Sequence, residues 1–191
     1  FDMLDPEQPT YIGMFSQGTV LHTHNVQLDP ETGRLYLCGT NNGLYIYDLA
    51  ANPVNPPQVG HWGGPYVHDL HVQDGLVHAA LIYAGDYRIL DVSNPGNIQQ
   101  IASVNSGEQF AHSTWTTADG NVCVVADETS GARHLSFFDV TVKSNPVEIA
   151  QYTENAISLP HNPFILDDVC HVAWYTEGYI ALDISDPSQP V

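Results

Sequence analysis

One pattern is written four times along this chain. A histidine opens each copy: His24-Asn25-Val26, His68-Asp69-Leu70, His112-Ser113-Thr114 and His161-Asn162-Pro163, at intervals of 44, 44 and 49 residues. Each copy closes on an aspartate and a proline turn. These are Tyr47-Asp48 with Asn52-Pro53, Leu90-Asp91 with Asn94-Pro95, Phe138-Asp139 with Asn145-Pro146, and Leu182-Asp183 with Asp186-Pro187. A period of this length marks a repeat architecture. A residue repeated in register is also repeated in space, so the histidines matter for function as well as fold.

The second copy shows the unit. His68 to Val72 is a short strand-like run, and Asp74-Gly75 is a turn signal. Leu76 to Tyr83 is apolar and β-rich, Gly85-Asp86 turns again, and Tyr87 to Val92 is a third strand. After Ser93-Asn94-Pro95-Gly96, Ile98 to Val104 supplies a fourth. Gly and Asn provide the positive φ that tight hairpins need. Helical periodicity is nearly absent. Four short strands in roughly 45 residues describe a blade, so the fold class is all-β, a β-propeller with four visible four-stranded repeats. The boundaries read as 1–23, the outer strand of a blade with Tyr11 to Phe15 as its strand; 24–67, 68–111 and 112–160, three blades; and 161–191, a partial blade. Asp2 to Thr10 resembles Asp183 to Val191. Two arrangements fit: a closed four-bladed ring completed by the N-terminal strand, or consecutive blades of a larger propeller. The duplicated ends and the start inside a strand favour the second.

The closings Gly43-Leu-Tyr-Ile-Tyr-Asp48, Tyr87-Arg-Ile-Leu-Asp91 and Gly178-Tyr-Ile-Ala-Leu-Asp183 resemble LVIVD-repeat proteins. The openings, together with Pro160-His-Asn-Pro163, resemble the choice-of-anchor B group within that class. The resemblance spans nearly the whole chain. The third repeat departs from it, with Ser136-Phe-Phe-Asp139 and a longer linker from Val140 to Ser144. It implies a bacterial secreted or surface-displayed propeller: extracellular, periplasmic or on the cell surface. It implies no settled activity, because function resides in sites grafted onto folds.

The first strand of each propeller blade lines the central channel, so His24, His68, His112 and His161 are expected to face one another at its mouth. Converging neutral imidazoles suit Zn, Cu, Fe, Mn or Ni. His22 shares a strand face with His24. His71, His171, Asp127 and Glu128 are further ligand or supporting candidates, and Trp115 is a candidate pocket wall. Each has a plainer reading. The four histidines can brace the blades, with Asp48, Asp91, Asp139 and Asp183 as partners or as turn caps. Asp127-Glu128 reads first as a solvated turn, and Trp115 as packing. His61, His78 and His134 have no register partner and read as ordinary surface or core residues.

Charge and composition exclude some classes. Four basic against 22 acidic residues give a net charge of −18. Such a chain repels phosphate backbones and anionic membrane surfaces. The apolar runs are strand-length, too short for a membrane-spanning helix. Phe1-Asp2 reads as a mature or truncated start. Cys38, Cys123 and Cys170 lie inside apolar runs and read as buried free thiols, with one disulfide as the minority reading. There is no Gly-x-Ser-x-Gly, Walker loop or dinucleotide fingerprint. The leading expectation is a binding or interaction module with a metal site, a small ligand or a protein as further partners. The alternatives are a propeller metalloenzyme using the same histidines, as carotenoid-cleaving dioxygenases and methanethiol-oxidising selenium-binding proteins do by architectural analogy, and a purely structural repeat domain for adhesion or assembly.

Overall fold

The computed structural model describes residues 1–15, 20, 22–106, 110–129 and 134–191. Among the described residues, fifteen strands form four antiparallel meanders. Blade 1 comprises β1 Asn25–Asp29, β2 Arg34–Thr40, β3 Gly43–Asp48 and β4 Gln58–Trp62. Blade 2 comprises β5 Asp69–Gln73, β6 Leu76–Leu81, β7 Asp86–Asp91 and β8 Gln99–Asn105. Blade 3 comprises β9 Ala111–Thr116, β10 Val122–Asp127, β11 Leu135–Asp139 and β12 Val147–Tyr152. Blade 4 has three strands, β13 Pro160–Leu166, β14 Val169–Trp174 and β15 Gly178–Asp183. Each sheet is ordered as the chain runs. Residues 11–15 form no strand, contrary to the expected outer strand. Phe15 instead packs edge-on against Tyr47, with ring centroids 5.0 Å apart.

The hairpins follow turn chemistry. Asp74 and Gly75 both hold positive φ, at 52° and 72°, and close β5 onto β6. Gly39 meets a stricter demand: a Cβ there would lie 1.9 Å from the Cβ of His24. Only glycine lets the start of blade 1 sit against β2, so Gly39 fixes where His24 lies. The repeated aspartates cap the turns that follow them. Asp91 Oδ1 accepts from the Ser93 amide and hydroxyl, Asp139 Oδ1 from those of Thr141, and Asp183 Oδ1 from the Ser185 amide. Asp48 accepts from the Ala51 amide. None of the four meets an opening histidine.

The core lies between blades rather than inside one. Leu44, Ile46, Leu70, Ala79 and Leu90 join blades 1 and 2. Ala80, Tyr87, Ile89, Val125 and Phe138 join blades 2 and 3. Val124, Leu135, Phe137, Val172, Trp174 and Leu182 join blades 3 and 4. A blade sandwiched on both faces buries successive residues rather than alternate ones, as β10 does along its whole length. The inner strands of the end blades alternate instead, although β2 and β3 of blade 1 bury successive residues. In β1 Val26 and Leu28 are exposed, and in β13 and β15 Phe164, Leu166 and Tyr179 are exposed. Each end blade is therefore fully covered on one face only. Phe15 and Val20 cover part of the free face of blade 1 at Leu37, Tyr45 and Tyr47. The three cysteines are free and buried, as the bland reading expected. Burial pushes the Cys123 and Cys170 thiols up to about 12 and Cys38 further still.

Candidate metal centre

His24 and His68 immediately precede the inner strands of their blades, and His112 and His161 are the second residues of theirs. Because blades repeat by a near-constant rotation, the imidazoles form a row. Ring centroids are 4.2 Å apart from His24 to His68, 4.3 Å from His68 to His112 and 4.6 Å from His112 to His161. The expected convergence of four equivalent ligands is nevertheless only partly met. Among the described residues, one group brings ligand atoms within 4.8 Å of one another: His112, His161 and Glu128.

The members of the row have different roles. His68 places Nδ1 2.9 Å from the carbonyl oxygen of His112, a bond that ties blade 2 to blade 3 and fixes the protonated nitrogen. His68 is thus a brace, as the structural reading of these histidines expected, though its partner is a backbone carbonyl and not an aspartate. His24 is exposed and packs at a tilt against His68 at the end of the row. His112 is buried and its Nε2 lies 2.9 Å from Glu128 Oε2. His161 is half-buried and closes the group.

Glu128 is the residue that turns a stack of rings into a mixed donor set. It follows β10 directly. A register shift between Ala126 and Asp127 changes the aim of the chain at that point. Asp127 turns inward, fully buried, and accepts from the Ser106 hydroxyl at 2.7 Å, with His134 Nε2 at 3.5 Å. Glu128 turns toward the row. The solvated-turn reading of this pair is therefore corrected: one carboxylate is core and the other faces the histidines. Tyr175 directly follows β14, the corresponding position in blade 4. Its hydroxyl donates to Glu128 Oε1, and its ring meets His161 edge-on at 5.8 Å. Sequence reasoning passed over Tyr175, although the shared place after the second strand was a readable signal.

The remaining candidates lie elsewhere. His22 is exposed and makes no contact with the group among the described residues. His71 packs at a tilt against Trp115, with ring centroids 4.2 Å apart. His171 bonds Tyr179 Oη at 2.6 Å on the open face of blade 4. His71 and His171, the expected further ligands or supporting residues, therefore stand away from the group. His71, three residues after His68, points to the other face of its strand; His171 shares the face of His161 but lies two residues along β14 from Ala173, the strand partner of His161. Trp115 does form a wall: it lines a channel cavity with Phe164, the two rings 4.7 Å apart.

The electrostatics favour neutral rings. Burial, with the imidazoles of His68, His161 and His24 close by, pushes His112 down to about 3. Burial also lowers His68. Burial keeps His112 neutral, and an ion at the group would take the place of the proton that its Nε2 shares with Glu128. The hydrogen bond to Glu128, and then burial, raise Tyr175, which stays a hydroxyl donor. Two donors at ~2.1 Å from one ion and about 90° apart stand roughly 3.0 Å from each other. The 2.9 Å between His112 Nε2 and Glu128 Oε2 is close to that right-angle spacing, shorter than the roughly 3.4 Å of a tetrahedral site, and the length of an ordinary hydrogen bond. An open cavity of about 390 Å³, walled by His161, Trp174, Tyr175 and Tyr179, adjoins the group on the blade 4 side.

The LVIVD-repeat family model matches residues 168–191, the last repeat. No curated protein matches the sequence. Solved propeller-type structures match the fold. A protein from Lactobacillus plantarum superposes with a TM-score of 0.75 at 14% identity, covering 94% of this chain and 56% of that one. The periplasmic gluconolactonase PpgL of Pseudomonas aeruginosa superposes with a TM-score of 0.68 at 16% identity, covering 89% and 54%. The computationally designed Ika4 protein superposes with a TM-score of 0.67 at 9% identity, covering 93% and 100%. The chain spans about half the length of the two natural proteins. At these identities the likeness establishes the β-propeller fold. No helix among the described residues is long and apolar enough to cross a membrane.

Proposed function

We propose that this propeller binds one divalent transition-metal ion at the channel mouth through His112, His161 and Glu128, and serves as a secreted or cell-surface binding module. One observation carries the reading: two imidazoles and a carboxylate from two adjacent blades offer ligand atoms within 4.8 Å of one another, with Tyr175 holding the carboxylate. Two nitrogens and one oxygen suit Zn, Fe, Mn, Ni or Cu and leave coordination positions for water or a further ligand. The net charge of −18 raises the local concentration of cations around such a mouth. The extracellular setting rests on the choice-of-anchor B resemblance.

A second reading has its own support. Three protein ligands with free positions, beside a 390 Å³ cavity bounded by His161, are also what a metalloenzyme requires. PpgL is a gluconolactonase on a similar scaffold. On this reading hydrolysis or oxidation of a small molecule would occur at the same ion.

Metal analysis of untagged protein tests the shared premise. The expected result is close to one transition-metal ion per chain, lost in a His161→Ala/Glu128→Gln variant that keeps the wild-type circular dichroism spectrum. Metal content that is negligible, or equal in the variant, contradicts it.

A further inference from the structure

The residue after each opening histidine forms a second layer in the channel, one step inside the row: Asn25, Asp69, Ser113 and Asn162. All four line one cavity of about 230 Å³, which Trp115 and Phe164 help to enclose. Asp69 is about nine-tenths buried. Its two hydrogen bonds, from Asn25 Nδ2 and the Leu70 amide, both measure 2.7 Å and both end on Oδ1. Oδ2 accepts none among the described residues. The imidazoles of His68 and His24 are the titratable groups beside Asp69, and burial raises its pKa; the described cations bond elsewhere, Arg34 to the Val92 carbonyl, Arg88 to Asp86 and Lys143 to the Gly120 carbonyl. Ser113 is 2% exposed, and its Oγ has no partner. Asn162 is held at φ +48°, in the left-handed region that Asn tolerates, at the register shift of β13 against β14.

Buried carboxylates are ordinarily matched by a cation, and a buried hydroxyl without a partner is costly. The unpartnered Ser113 hydroxyl and the open oxygen of Asp69 line one cavity, beside two aromatic rings. We propose that this cavity binds the head of a small primary ammonium compound. The three N–H donors of an alkylammonium match Asp69 Oδ2, Ser113 Oγ and the Asn162 side-chain oxygen. Its methylene groups lie against Trp115 and Phe164, where the rings add cation–π attraction. The volume corresponds to roughly seven waters, enough for a short chain. A hard divalent ion fits less well, because only one ligand is a carboxylate and such ions favour several. The cavity is distinct from the metal centre and does not depend on it.

Calorimetric titration of the full chain with n-propylammonium chloride tests the proposal, with 1-propanol and calcium chloride as controls at matched ionic strength. It is run on chelator-treated protein and again in the His161→Ala background, so that failure of the metal reading leaves the outcome interpretable. The ammonium compound is expected to bind saturably and at least about tenfold more tightly than the alcohol, as a charge-assisted hydrogen bond requires. Asp69→Asn keeps the acceptor on Oδ1 and is expected to weaken binding by at least about tenfold. Should that variant not fold, Ser113→Ala is expected to weaken it about threefold. Absence of saturable binding, equal binding of propanol, displacement by calcium, or unchanged affinity in the variant that folds overturns the proposal.

Discussion

Tyr175 determines how firmly Glu128 faces the histidines. It is exposed, so its removal leaves the fold intact, but its hydroxyl supplies the donor that orients one oxygen of the carboxylate while the other meets His112. Tyr175→Phe should therefore lower metal affinity by about 10–100-fold, the usual effect of an outer-shell partner, with thermal stability of the metal-free protein unchanged. Competitive chelator titration measures it. At this scale the sequence was legible in register and illegible in aim. The spacing of His24, His68, His112 and His161 placed four rings in a row. It could not tell that His68 would bond the His112 carbonyl, because that depends on the rotation between two blades. Nor could it separate Asp127 from Glu128, because a register shift of one strand sends one inward and the other to the site.

Within a blade, strand alternation decides which faces are apolar, and the hydrogen-bonded pairs His78–Tyr87 and His171–Tyr179 show this directly. Each has Nδ1 to Oη at 2.6 Å, ring centroids 5.9 Å apart and planes 15° apart. Blade 3 covers the first pair; the second is open, with Tyr179 67% exposed against 0% for Tyr87. Tyr87→Ala should cost about 3–5 kcal/mol and Tyr179→Ala less than about 1 kcal/mol, read by chemical denaturation. Burial also pushes His78 down to about 3. Its folded value lies below the unfolded value of about 6.5, so the unfolded chain takes up its proton first. Stability from this residue is full above pH 6.5 and falls as the pH drops toward 3. The equivalent positions in blade 3 hold Val124 and Leu135. A His78→Val/Tyr87→Leu variant should accordingly lose less stability between pH 7 and pH 4.5 than the parent does, as denaturation midpoints at the two values would show. His78 had no register partner in the sequence reading because blades 1 and 3 carry Tyr36 and Val124 there; His171 in blade 4 was its match.

Across the whole molecule, the four meanders and their hairpins follow from turn residues and the repeat of roughly 45 residues, which is why the propeller was readable. The open faces at both ends were not, because an isolated repeat does not reveal what packs beside it. The charge has a consequence at this scale. With −18 spread over the chain and a channel floored by Asp69 and rimmed by Glu128, the axis attracts cations, and rising salt should weaken capture of any of them. The account rests on one ion bridging two blades at the mouth. The most direct measurement is an anomalous difference map from a crystal of the metal-loaded protein, collected at the absorption edge of the bound element. The account predicts a single strong peak within coordination distance of His112, His161 and Glu128; a map with no peak there, or with its peak on other residues, would contradict it.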